Sequence, residues 1–172
     1  MKRVLPLLLP FLLAATPVKN FPLVNQEGRP FQLYDLKGKP VLVSFIFSRC
    51  PQAKMCPLTV TKNKQVLELI KKEKTKKEIQ FLFVTLDPEF DTPSVLKAFA
   101  RTRHLDSREF TLATGNPQAL SDLASEFNVM GFKDGASVSH NMKTILLGAD
   151  LSEVKQFKDN EWTAEEVLKA LY

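Results

Sequence analysis

Apolar runs and helical stripes alternate along this chain in a regular order. Val41-Leu42-Val43-Ser44-Phe45-Ile46-Phe47 is almost continuously hydrophobic, and Ile79 to Leu86 forms a second such run. That density predicts strands buried on both faces of a sheet that helices cover. Between them, Pro57 suits the first turn of a helix whose apolar face is Val66, Leu67, Leu69 and Ile70. Thr92-Pro93 starts another helix, with Thr92 as cap and Leu96, Phe99 and Ala100 at helical spacing. Phe110 to Ala113 reads as a short strand. Asn116-Pro117 then opens a helix with Leu120, Leu123, Ala124 and Phe127 on one side. Met142 to Leu147 and Val154 to Phe157 form a hairpin through Gly148 to Ser152. Thr163-Ala164-Glu165-Glu166 is a capping box for a terminal helix bearing Val167, Leu168 and Leu171. Ahead of all this, Phe21 to Leu36 gives two short extended pieces around the turn Asn25-Gln26-Glu27-Gly28. The predicted class is α/β: one domain, a mixed sheet between helices, with an N-terminal extended hairpin.

The N-terminus changes the picture of the compartment. Met1-Lys2-Arg3 is basic, Val4 to Ala15 is apolar, and the run ends on Leu13-Ala14-Ala15. This is the pattern of a secretory signal peptide over residues 1–15, and it predicts a mature domain over 16–172 in a periplasmic or otherwise exported location. The run is shorter than the roughly 20 residues a membrane span needs, so an uncleaved anchor is the lesser reading. The net charge of +5 includes Lys2 and Arg3. Much of the remainder is local, in Lys62, Lys64, Lys71, Lys72, Lys74, Lys76 and Lys77, which a solvated helix face explains. Attraction to an anionic surface would make any membrane contact peripheral. No basic patch is interleaved with aromatics, so nucleic acid is not an expected partner.

Candidate chemistry gathers after the first core strand. Cys50 and Cys56, the only cysteines, have five residues between them, with Pro51 and Pro57 resisting an ordinary helix through the loop. A curled loop brings both sulfurs together, which leaves three readings open. These are a stabilising disulfide, a redox dithiol and a soft-metal site. A bridge over so short a loop would stabilise by roughly 2 kcal/mol or less, which favours a reactive or metal-binding pair. Of the two histidines, His104 follows Arg101 and Arg103 and reads as surface. His140 precedes the strand beginning at Met142, and in a sheet with helices on both faces functional groups collect at strand ends and the adjoining loops.

From Phe21 to Tyr172 the chain resembles the Sco/SenC copper proteins. The resemblance rests on Asp35-Leu36-Lys37-Gly38-Lys39-Pro40, Phe45-Ile46-Phe47-Ser48-Arg49-Cys50-Pro51 and Cys56-Pro57. It extends through Val84-Thr85-Leu86-Asp87-Pro88-Glu89-Phe90-Asp91-Thr92-Pro93, Leu112-Ala113-Thr114-Gly115 and Val138-Ser139-His140. It implies a thioredoxin-like three-layer fold and a chaperone for assembly of the cytochrome c oxidase copper site. By the same resemblance Cys50, Cys56 and His140 are the ligands of a copper ion, Cu(I) or Cu(II), a donor set that suits it. Cys50 and Cys56 are also a redox pair, whose oxidation to a disulfide would release the metal. The implied partners are a copper-accepting protein, such as an oxidase subunit, and a thiol reductant protein. The chain departs from the common family spacing of three residues between the thiols. Asp87 and Asp91 read either as a turn and a helix start or as groups supporting the metal ligands. Met55 reads as core packing, or as a thioether near the ion.

The rival reading is a thiol-disulfide oxidoreductase on the same fold. Such enzymes place a cis-proline before a late strand, whereas the last proline here is Pro117. A peroxidase of the peroxiredoxin type would need proline and threonine where Val43 and Phe47 stand, and a structural zinc site would need a fourth ligand.

Overall fold

The computed structural model describes residues 16–73, 78–134 and 137–171, with the backbone alone at 132–134 and 137. The expected leader, residues 1–15, and Lys74, Lys76 and Lys77 lie outside the described residues.

The strands are β1 (Pro22–Asn25), β2 (Pro30–Gln32), β3 (Val41–Ile46), β4 (Gln80–Thr85), β5 (Phe110–Thr114), β6 (Gly131–Asp134), β7 (Ser137–His140), β8 (Lys143–Leu147) and β9 (Glu153–Lys158). The helices are α1 (Cys56–Lys72), α2 (Pro93–Thr102), α3 (Pro117–Glu126) and α4 (Ala164–Ala170), with a 3-10 turn at Leu33–Leu36. Seven strands form one mixed sheet in the order β2-β1-β5-β4-β3-β8-β9. Strands β3, β4 and β5 run parallel. The β1–β2 hairpin joins antiparallel at one side and the β8–β9 hairpin antiparallel at the other. The expected mixed sheet, its helices and the N-terminal hairpin are all present.

Side-chain alternation along the strands sorts the core into two layers. Leu42 and Ile46 of β3 join Phe81 and Phe83 of β4 and Leu146 of β8 on the face covered by α1, α2 and α4. Val41, Val43 and Phe45 join Leu82, Val84, Ile145 and Leu147 on the other face, under α3 and the N-terminal segment. Every residue of β3 is buried, including Ser44, as its unbroken apolar pattern requires.

The capping residues read from the sequence act as caps. Thr92 accepts from the Val95 amide, and Asn116 accepts from Gln118 and Ala119. Thr163 and Glu166 form the reciprocal box. Gly28, at φ +76°, closes the β1–β2 turn, a conformation that costs a side-chain-bearing residue more.

Two features differ from the sequence expectation. Leu33 to Leu36 is a 3-10 turn rather than strand, because Gln32 and Asp35 cap it and the Gln32 amide donates to the Asp35 carboxylate at 2.8 Å. The segment before Met142 is not a plain loop. Strands β6 and β7 pair antiparallel as a separate two-stranded sheet, with His140 opposite Gly131.

Candidate metal centre

Strand direction alone brings the candidate residues to one end of the sheet. Strands β3 and β4 are parallel, so the segment leaving β3, with Cys50, lies beside the segment leaving β4, with Asp87 and Asp91. Strand β8 runs antiparallel to β3, pairing Thr144 with Ser44. Its start therefore lies at the same end, and His140 arrives there just before it. Functional groups at strand ends beside a helix start are the usual layout for a site in an α/β sheet.

Both cysteines are free thiols. The Cys50 amide donates to the Phe47 carbonyl at 3.3 Å, closing a turn that leaves Cys50 half-buried. Cys56, the first residue of α1, is 1% exposed. Its thiol lies within hydrogen-bonding reach of Cys50. Burial pushes the Cys56 thiol far above the ordinary range, and hydrogen bonding from the Phe47 backbone opposes this only in part. The pair is thus asymmetric: an accessible sulfur at Cys50 and a buried, protonated one at Cys56.

His140 packs edge-on against Phe47, with ring centroids 6.2 Å apart and planes at 75°. Its Nδ1 lies 3.0 Å from the Asn141 carbonyl, which can only accept, so Nδ1 carries the proton. The lone pair is then on Nε2, a buried atom with no hydrogen-bond partner among the described residues. Burial also holds the imidazole below its ordinary pKa, so the ring is neutral. A buried neutral imidazole with an orphaned lone pair, at the sheet end that also carries the two thiols, suits a soft or borderline metal ion. Phe47 touches both sides of the site, its ring meeting the imidazole and its carbonyl accepting from the Cys50 amide. Among the described residues, no three His, Cys, Asp or Glu side chains form a ready-made cluster around a metal position.

The two aspartates have a clearer role than the sequence allowed. Asp91 is completely buried and is not the helix cap, a place Thr92 takes. One of its oxygens accepts from the Ser48 amide at 3.1 Å and the Thr85 hydroxyl at 2.5 Å, and the other accepts from the Ser48 hydroxyl. Asp87 is buried too and pairs with Arg49 Nη2 at 2.5 Å. The Arg49 guanidinium lies 4.0 Å from the centre of the exposed Phe90 ring. Ser48 and Arg49, the residues just before Cys50, are therefore fastened to the segment after β4. Ionised partners make these the stronger kind of hydrogen bond. Met55 is half-buried, and His104 is exposed as expected.

Among the described residues, no helix is long and apolar enough to cross a membrane.

Comparison with known proteins identifies relatives of this chain in sequence and in fold. The family model described as SCO1/SenC matches residues 13–172. An SCO2-like protein of Rickettsia felis is 32% identical over 145 residues, covering 80% of this chain and 67% of the relative. The structure of Bradyrhizobium japonicum ScoI with copper bound superposes with a TM-score of 0.73 at 26% identity, covering 91% of this chain and 98% of that one. BsSco, described as a member of the Sco family of cytochrome c oxidase assembly proteins with a disulfide switch, superposes with a TM-score of 0.75 at 27% identity, covering 91% and 92%.

Proposed function

Because this chain belongs to the SCO1/SenC family, we propose that it is a copper metallochaperone whose ligands are Cys50, Cys56 and His140. The observation that carries the assignment is the buried His140 Nε2, whose lone pair has no partner among the described residues although Nδ1 is engaged. An unpaired buried nitrogen costs roughly 1–3 kcal/mol, a penalty that ligation removes.

Copper enters at Cys50, the half-exposed sulfur, and Cys56 then yields its proton to become the second thiolate. His140 completes the set after a shift that brings its ring and the sulfurs around one ion. Transfer to the acceptor proceeds by exchange of these ligands, one at a time. The acceptor is a copper-receiving protein, such as a cytochrome c oxidase subunit, in an exported compartment. Oxidation by a disulfide-bearing partner removes two electrons from the Cys50 and Cys56 thiolates and forms their S–S bond, while the partner takes up two protons from water and leaves as two thiols. The ion then loses two ligands, and a thiol reductant protein restores the pair.

Titration of the reduced protein with Cu(I) under anaerobic conditions tests this. One equivalent should bind. Cys50→Ser and Cys56→Ser should each nearly abolish binding, and His140→Ala should weaken it strongly. A reduced protein that ignores Cu(I) but reduces disulfide substrates with turnover would instead be a thiol-disulfide oxidoreductase.

A further inference from the structure

The thiol loop has a second fastening, at its far end, made by a residue 106 positions from Lys54 in sequence. Asn160, in the turn between β9 and α4, donates through Nδ2 to the carbonyl oxygens of Lys54 and Met55, both at 3.1 Å. The same amide meets the Thr59 hydroxyl, 3.0 Å from Nδ2 and 3.1 Å from Oδ1. Thr59 is buried in the first turn of α1, so one side chain bridges the last two loop residues to the helix that Cys56 opens. Met55, the N-cap of that helix, has no side-chain capping bond and an unusual backbone conformation, φ −104° and ψ −114°. The Met55 carbonyl also accepts from the Thr59 amide at 2.9 Å and the Thr59 hydroxyl at 3.2 Å, so Asn160 joins Thr59 in fixing its direction and alone adds the tie to the Lys54 carbonyl.

The tie continues inward. Asn63 Nδ2, fully buried one turn further along α1, donates to the Thr59 carbonyl at 2.8 Å and to Ser44 Oγ at 3.2 Å. Ser44 Oγ lies 3.2 Å from Thr144 Oγ1. A chain of buried polar groups thus runs from the sheet, through α1, to the residue before Cys56. The turn that carries Asn160 is itself braced, since Trp162 packs on Phe157 with ring centroids 5.6 Å apart and its carbonyl accepts from Lys62.

We infer that Asn160 is a positioning residue for the dithiol, setting the place of Cys56 relative to Cys50 and so the grip of the pair on a metal ion and its tendency to form a disulfide. The metal arm of this inference rests on the copper-binding reading above, whereas the disulfide arm does not. Loss of a residue that orients metal ligands typically weakens binding by about 10–100-fold. Asn160→Ala should therefore bind Cu(I) at least about tenfold more weakly than the natural protein. In glutathione buffers, the equilibrium in which oxidised glutathione takes two electrons from Cys50 and Cys56 should shift by about tenfold toward the free thiols. That corresponds to about 30 mV.

The experiment compares the full mature chain with Asn160→Ala, Asn160→Asp and Thr163→Ala. Asn160→Asp keeps the size of the side chain but turns an acceptor toward the two carbonyls, and it should show losses at least as large. Thr163→Ala removes the α4 cap in the same turn without touching the loop, so it should lower Tm and leave both constants unchanged. Cu(I) affinity is read by competition with a chelator, and the disulfide equilibrium by thiol alkylation and mass spectrometry. Asn160 variants that lose Tm while both constants stay within about twofold of the natural protein would overturn the inference. A natural protein that binds no Cu(I) would refute the copper reading alone, and the disulfide equilibrium would still decide the role of Asn160.

Discussion

Replacing Asp91 with alanine tests how the Cys50 turn is held. The carboxylate is completely buried and serves three donors: the Ser48 amide, the Ser48 hydroxyl and the Thr85 hydroxyl. A hydrogen bond to a charged group contributes about 1.5–3 kcal/mol, and a buried donor left unpaired costs about 1–3 kcal/mol. These terms do not add fully. The two hydroxyls can rotate to other acceptors, whereas the Ser48 amide cannot, and deleting the carboxylate also removes its own desolvation cost. Asp91→Ala should therefore destabilise the reduced protein by about 3–4 kcal/mol, a large part of the roughly 5–15 kcal/mol that holds a domain folded. Asp91→Asn preserves one acceptor and the shape, so its cost should be about 1–2 kcal/mol. Urea unfolding followed by far-ultraviolet circular dichroism measures both, with an unchanged slope expected for an unchanged fold. A double-mutant cycle with Ser48→Ala isolates the tie itself, with an expected coupling of about 1–2 kcal/mol. The reasoning fails if Asp91→Ala costs less than about 1 kcal/mol, or if the two substitutions add within about 0.5 kcal/mol.

The remaining predictions concern protonation and packing. Burial depresses the pKa of His140 from its ordinary 6.5, so the metal-free fold is penalised by protonation that the unfolded chain accepts freely. The stability contributed is complete above about pH 6.5 and is lost as pH falls through the folded-state value. The slope approaches about 1.4 kcal/mol per pH unit, and His140→Gln should flatten this acid limb in urea titrations. Cys56 has the opposite sign: its raised pKa contributes stability at neutral pH that declines above the ordinary thiol value of roughly 8.5. For the same reason, limiting iodoacetamide near pH 8 should label Cys50 well before Cys56, as read by peptide mass mapping; equal rates would contradict the asymmetry. Trp162 is 3% exposed, and Trp162→Ala should cost about 3–5 kcal/mol in urea unfolding.

Much of the architecture is legible in the chain because its signals are local. The unbroken apolar run from Val41 specifies a central strand, and Thr92, Asn116 and Thr163 announce helix starts through side-chain caps that need only neighbouring residues. The β6–β7 hairpin is hard to read because Gly131 to His140 contains few apolar residues and alternates only over the short stretch Ala136 to Ser139. The Asp134-Gly135 pair was the available turn signal. The candidate site divides in the same way. Cys50, Cys56 and His140 are rare residue types beside recognisable strands, and the topology brings all three to one sheet end. The roles of Asp91 and Asn160 were not legible, because each acts across the tertiary structure. Asp91 reaches a segment 43 residues away and Asn160 one 106 residues away. In sequence, an aspartate before Thr-Pro simply resembles a helix start.

The imidazole-bearing strand belongs to a small sheet of its own. Displacing that ribbon breaks no pairing in the large sheet, but it uncovers Val138 and parts the imidazole from Phe47. A movement of the imidazole relative to the thiol loop would leave the strand order of the seven-stranded sheet intact.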